Sequence, residues 1–269
     1  GSADTTRKLL QEEKDVKLVA LPKNIGAAAR NEGVIRADTP YIAFCDDDTY
    51  WEADGLRIAA DMLDKYPALG LVNARIVVGD EEKPDPISEQ MEDSPLSDEA
   101  GIPGKVLMSF MGGASMVRKD AWVEVGGYDR KMFIGGEEET VGWKLAKAGW
   151  EMRYVPEVVV HHYPTMQNAA GLQDYGIRNT IWNAWLHRPA KRAWGWTWHV
   201  ISSSPKNRIL LKGILKTLPG IPWVARNRDV MKPNVEAKVR RLELQRLEGD
   251  NARQYGRDLK RSGTQGASS

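Results

Sequence analysis

The chain has 269 residues, of which 42% are hydrophobic and 28% charged, with a net charge of +1 and a single cysteine, Cys45. That length buries a substantial core, as one large domain or a domain with an appendage. The near-neutral charge excludes an extended nucleic-acid-binding surface, and one cysteine excludes an internal disulfide framework and a cysteine-based zinc site.

No apolar run approaches the length that spans a bilayer, and no charged-then-apolar leader opens the chain, so a cytoplasmic protein in a reducing compartment is expected. In chain order, "KLVAL" (17–21) and "YIAFC" (41–45) predict short buried strands on either side of an alanine-rich helix opening with "NIGAAARN". Cys45, at the end of the second apolar run, is expected as a buried thiol. After three aspartates, Leu56, Ala59, Ala60 and Leu63 mark one face of a helix, and "LGLVNARIVV" (69–78) predicts another strand. This alternation indicates an α/β fold with a largely parallel sheet, whose ligand site lies beyond the carboxyl ends of its strands. Residues 79–105 are rich in Pro, Gly and acids and predict a long surface loop with one helical turn. Order resumes with "GGASMVRKDAWVEVGGYD". "GGEEETVGWKLAKAGW" (135–150) predicts a helix stopping near Gly149, and "EVVVHHYP" a strand ending in two histidines. From about 168 the pattern is helical, with Leu172, Tyr175, Trp182, Trp185 and Leu186 on one stripe and Val235, Val239 and Leu242 on another. Beyond Gly249 a polar, disordered tail is expected.

Charge is unevenly spread. Residues 80–99 are acidic, whereas residues 187–228 carry Lys and Arg with no acid among them, alongside Trp194, Trp196 and Trp198. Two readings of this flank stand: a helical appendage packing its aromatics on the rest of the protein, or a peripheral contact with an anionic membrane surface.

Asp46, Asp47 and Asp48 follow directly on a strand. They read either as a solvated turn capped by Asp48 or Thr49, or as a hard-cation site in which Asp46 and Asp48, being alternate residues, point the same way. Two further elements fall at comparable positions. His161 closes a β-branched run, and neutral imidazole joins carboxylates around Mn²⁺. Glu137, Glu138 and Glu139 occupy the first turn of a helix, where the helix dipole favours acids and helps keep a carboxylate ready to accept a proton.

In this order, "NIGAAARN", "FCDDDTYW", "GGASMVRKDAWVEVGGYD", "GGEEETVGWKLAKAGW" and "VVVHH" resemble the family-two glycosyltransferases, over roughly residues 1–165. The resemblance implies a GT-A fold, a Rossmann-like α/β mixed sheet flanked by helices, here with a C-terminal helical extension. It implies an inverting enzyme that moves a sugar from a nucleotide-diphosphate sugar to an acceptor hydroxyl with Mn or Mg as cofactor. By the same resemblance Asp46 lies near the ribose, Arg30 approaches the diphosphate, and Asn24, Gly26 and Asp47 belong to the nucleotide-sugar pocket. Asp48 ligates the metal with His161 or His162, of which His161 is the first choice, and Glu138 is the base, with Glu137 as second candidate because Glu-Glu stands where the family has Glu-Asp. The expected acceptor is a glycan or a lipid-linked molecule, and the expected location is cytoplasmic or at the inner membrane face. "GSADTT" resembles the family's nucleotide-cradling turn, so about the first 40 residues of such a fold are expected to be missing. The expected organisation is a truncated GT-A domain over 1–165, a helical extension over 166–249 and a tail over 250–269. Two rival readings are a catalytically silent sugar-nucleotide or glycan-binding module and a nucleotidyltransferase of similar fold.

Overall fold

The structure, a computed structural model, describes residues 5–164 and 172–247. The expected tail beyond Gly249 and the expected onset of helix at 168 lie outside these residues. In chain order the elements are α1 (Thr6–Glu12), α2 (Ala29–Arg36, entered through a 3-10 turn at Gly26–Ala28), β1 (Tyr41–Ala43), β2 (Thr49–Trp51), α3 (Ala53–Lys65) and β3 (Leu69–Val78). Then come β4 (Lys83–Pro84), α4 (Pro86–Glu92), β5 (Lys105–Val106), β6 (Ser115–Arg118), α5 (Lys119–Glu124), α6 (Glu137–Ala148) and β7 (Glu151–His162). The remaining elements are helical: α7 (Gln173–His187), α8 (Ala190–Ser203), α9 (Arg208–Thr217), α10 (Ile221–Arg226) and α11 over residues 233–247.

The strands form one sheet in the order β1-β6-β3-β7-β2, with β4 beside β3 and β5 beside β7. Only β3 and β7 run parallel; the other pairs are antiparallel. The largely parallel sheet expected from the alternating pattern is thus corrected to a mixed one. The reason is that β2 and β6 return to the sheet as short antiparallel strands, which need no helical crossover, and alternating composition does not reveal strand direction. Residues 17–21 also depart from expectation: they form no ladder with any described residue.

Helices cover both faces, so β3 is buried almost throughout and reads as a continuous apolar run. On one side Val34, Trp122, Val141 and Leu145 pack with Leu71, Val117 and Met152; on the other, Ala59 and Leu63 of α3 pack with Leu69, Val72, Val158 and Val160. The acidic loop is more ordered than expected. α4 starts at Pro86, with the Asp85 side chain accepting from the Ile87 N–H at 2.8 Å, a regular N-cap. The C-terminal helices are tied together by Arg188, fully buried at the end of α7. Its guanidinium donates to Glu236 (2.7 Å) and Glu243 (2.9 Å) on α11. Part of the basic flank is therefore internal.

Candidate active site

The aspartate turn begins where β1 ends. Phe44 is the last side chain turned into the core, and the chain then swings outward, so Cys45 is exposed rather than buried as its sequence position implied. Thr49 closes the turn: its hydroxyl accepts from the Asp46 N–H at 2.8 Å and its own N–H donates to the Asp46 carbonyl at 3.1 Å. The Asp46 carboxylate accepts from the Arg30 guanidinium on α2. Gly112 and Gly113 lie against this pair. A Cβ on Gly113 would sit 2.4 Å from Asp46 Oδ2, and one on Gly112 would sit 3.0 Å from the Tyr128 hydroxyl and 3.2 Å from Glu138 Oε1. Bare backbone between strands and helix therefore lets Arg30, Asp46, Tyr128 and Glu138 converge. The motif "GGASM" carried that signal; its diglycine was not read as the floor of the site.

Glu137–Glu139 form the first turn of α6, which follows Gly135 and Gly136, both with positive φ (85° and 91°). Burial and the neighbouring Glu137 carboxylate push Glu138 up to about 8, against the opposing pull of its own backbone N–H and of Arg30. Its side chain is nonetheless only half-buried, so the carboxylate is both desolvated and reachable. Glu137 is almost fully buried, one of its oxygens has no hydrogen-bond partner, and its pKa is also raised by burial. The Tyr128 hydroxyl is likewise buried without a partner, and burial together with Glu138 holds it far above its ordinary pKa.

The loop that delivers these glutamates is held from α7. Asn179, fully buried, donates from its amide to the carbonyls of Met132 (2.8 Å), Ile134 (3.0 Å) and Gly135 (2.6 Å). One turn on, Asn183 donates to the Gly136 carbonyl at 2.8 Å and accepts from the Thr140 hydroxyl. Arg178 donates to the carbonyls of Lys131 (3.0 Å) and Met132 (2.7 Å) while lying over Trp182. Sequence reasoning missed this clamp; two asparagines four apart within an otherwise apolar helical stripe were the available sign.

At the other end of the aspartate turn, β2 pairs with β7 in the register Thr49↔His162 and Tyr50↔His161. Consecutive residues face opposite sides of a sheet. His162 accordingly approaches Asp48, with Nε2 3.6 Å from Oδ2, whereas His161 stacks on Tyr50 and meets Glu52 at 3.0 Å. Among the described residues no third Asp, Glu, His or Cys joins Asp48 and His162. Asp47 is exposed and makes no hydrogen bond or ion pair with the described residues. Asn24 accepts from the Gly26 N–H at 2.8 Å in a local turn, and the neighbouring Asn31 is a brace, accepting from Trp122 Nε1 (3.0 Å) and the Tyr128 N–H (3.1 Å).

Gly26 has φ +64°, and a Cβ there would lie 2.0 Å from the Phe133 carbonyl oxygen, whose hydrogen bond from the Ala27 N–H (2.8 Å) joins α2 to the clamped loop. Gly26→Ala is therefore expected to destabilise the fold by about 2–3 kcal/mol, read as a lower denaturant midpoint at unchanged slope.

Comparisons with known proteins bear on the family and the fold. Residues 1–126 match the glycosyl transferase family 2 family, so the match ends before Glu137–Glu139 and the two histidines. A pre-mycofactocin glycosyltransferase of Mycobacterium tuberculosis is 32% identical over 155 residues, covering 55% of this chain and 32% of that protein. An N-acetylglucosaminyl-diphospho-decaprenol L-rhamnosyltransferase of the same organism is 40% identical over 52 residues, 19% of this chain and 17% of that protein. The chain thus spans about a third or less of the length of these curated relatives. Among solved structures, S. aureus TarS 1-349 in complex with UDP-GlcNAc superposes with a TM-score of 0.56 at 12% identity, covering 88% of this chain and 72% of that one. GalNAc-T7 with UDP, GalNAc and Mn2+ gives 0.51 at 15% identity, covering 77% and 44%. At these identities the likeness establishes the fold.

Proposed function

Because the chain belongs to the family-two glycosyltransferases and carries their GT-A fold, we propose that it is an inverting, metal-dependent enzyme. In this reading it transfers a sugar from a nucleotide-diphosphate sugar to an acceptor hydroxyl. The observation that carries the reading is the convergence at Gly112–Gly113, where a reachable carboxylate raised to about 8 stands beside the Arg30–Asp46 pair of the aspartate turn. Glu138 takes the proton of the acceptor hydroxyl as that oxygen forms its bond to the anomeric carbon. The bond from that carbon to the diphosphate oxygen breaks on the opposite face, so configuration inverts and no covalent enzyme intermediate arises. Asp46 fits the ribose side of the nucleotide, and Arg30 offers positive charge toward the diphosphate.

Asp48 and His162 suit a divalent cation. They offer one carboxylate and one imidazole 3.6 Å apart, a donor set that Mn²⁺ or Mg²⁺ accepts while leaving positions for phosphate and water. Such a cation supplies Lewis-acid neutralisation of the charge on the departing diphosphate. His161, turned toward Tyr50 and Glu52, is assigned to packing. The acceptor fits a groove of about 610 Å³ whose lining includes Met91, Phe110, Met111, Leu242 and Arg246 and reaches the residue before Gly112. Its mixed lining suits a glycan or lipid-linked acceptor.

The test is nucleoside-diphosphate release from a panel of sugar nucleotides with Mn²⁺ or Mg²⁺. Release should fall by about 10²-fold or more in His162→Ala and in Asp48→Ala, and stay within about tenfold of wild type in His161→Ala. Tight sugar-nucleotide binding with no release from any donor would sink the reading in favour of a silent binding module.

A further inference from the structure

We propose that α8, α9 and the turn into α10 form a docking surface for the headgroup layer of an anionic bilayer. Both α8 and α9 pack on α7: Ala193 and Leu210 are buried, and the Thr197 hydroxyl meets Trp185 Nε1 at 3.1 Å. An amphipathic helix packed in this way normally shows a polar outer face. Here the outward side chains include Trp194 and Trp198, one turn apart on α8, and Leu211, Leu215 and Leu218 on successive turns of α9 and its extension, followed by Ile221. Each of these is more than half exposed, and Trp198 reaches 70%.

Cations are set among them. Lys191 lies one turn before Trp194, and Arg208 and Lys212 flank Leu211; all three are exposed and have no acidic partner among the described residues. Arg188, by contrast, is taken up internally by Glu236 and Glu243, and Lys216 is paired with Asp174 at 3.0 Å. Tryptophan and leucine interleaved with unpaired Lys and Arg are the chemistry of a helix lying in a lipid interface.

Charge selects the occupant. No acid occurs from His187 to Arg228, so a second copy of the same surface would bring cation against cation and is disfavoured. A layer of anionic headgroups over acyl chains complements both the charges and the exposed rings. None of the described helices is long and apolar enough to cross a membrane, so the contact lies on the surface. Because α7 both carries these helices and clamps the loop before Glu138, docking would fix the orientation of the glutamates to the lipid surface. The surface stands whether or not the protein transfers sugar.

The experiment is vesicle flotation of the chain without any sugar nucleotide, comparing pure phosphatidylcholine with vesicles containing about one-third phosphatidylglycerol. Co-flotation with the anionic vesicles only, weakened by salt and accompanied by a blue shift of tryptophan emission, is the expected result. Trp198→Ser/Leu211→Ser/Leu215→Ser should lower the bound fraction by about tenfold or more. Arg208→Gln/Lys212→Gln, which touches no packed residue, should also lower it and reduce the salt dependence, so the outcome does not hinge on the folding of the triple variant. Equal recovery with both vesicle types would overturn the proposal. So would a dimer in light scattering that dissociates in the triple variant while neither vesicle is bound.

Discussion

Glu138→Gln is expected to lower turnover by about 10²–10⁴-fold while leaving the KM for the sugar nucleotide within about threefold. The amide matches the carboxylate in shape and still fits against Gly112, but it cannot take the acceptor's proton. In the proposed mechanism sugar-nucleotide binding falls to Arg30, Asp46 and the Asp48–His162 pair, whose side chains the substitution leaves in place. The pH profile gives a second readout. With Glu138 held at about 8 by burial and by Glu137, the ionised base is the minor form at neutral pH, and kcat/KM of the wild type should rise nearly tenfold per pH unit until about pH 8. The variant should lack that limb. Stability moves the opposite way. The folded carboxyl binds its proton more tightly than the unfolded chain, whose value is near 4.5, so this group weakens the fold progressively as pH climbs from about 4.5 to about 8. Removing the charge should therefore leave the Tm of the variant at or above that of wild type at pH 8.5, with the advantage fading toward pH 5. A variant both less active and less stable at pH 8.5 would argue that Glu138 supports the fold rather than the reaction.

Much of the fold is legible because local signals agree with the tertiary outcome. "LGLVNARIVV" is a strand over its whole length, since a run buried on both faces needs no alternation. Gly149 ends α6 as expected, adopting φ +96° where other residues are strained. β7 is legible only in its second half. Pro156 and Glu157 interrupt the pattern just where the pairing register with β3 slips, and such an irregularity is where an interior proline can sit. The choice between His161 and His162 is of another kind. Adjacent strand residues look alike in sequence yet face opposite sides, and only the pairing of β2 with β7 places His162 at Asp48. The exposure of Cys45 follows from the chain turning one residue earlier than the apolar run implies. The α7 clamp left only the spacing of Asn179 and Asn183 as a local sign, because its hydrogen bonds span more than forty residues and their acceptors are backbone carbonyls of any sequence.

That clamp carries the other large prediction. Asn179→Leu is expected to cost about 3–4 kcal/mol, measured by denaturant unfolding, and to lower turnover by about 10²-fold. Leucine keeps nearly the volume but offers no donor. The Met132 carbonyl still accepts from Arg178 at 2.7 Å, whereas the Ile134 and Gly135 carbonyls lose the donor they have. Arg178 Nε, 2.9 Å from Asn179 Oδ1, loses its acceptor as well. Two part-buried carbonyls without their donor and one buried guanidinium N–H without its acceptor account for the size of the effect. Asn183→Leu is the control one turn away. The Gly136 carbonyl would still accept from the Thr140 N–H at 3.2 Å, and the Thr140 hydroxyl, released from Asn183, turns its one proton to that carbonyl 3.1 Å away, so the cost should be nearer 1 kcal/mol. The rate effect has the same origin. Gly135 and Gly136 set the direction in which α6 leaves the loop, and a tilt there moves the Glu138 carboxylate relative to Gly112 and Asp46. A displacement near 1 Å at a reacting group costs about 10²-fold. If Asn179→Leu unfolded as easily as predicted but kept full kcat in the folded fraction, the asparagine would be a stability element only, and the loop would be positioned by the packing of α6 instead.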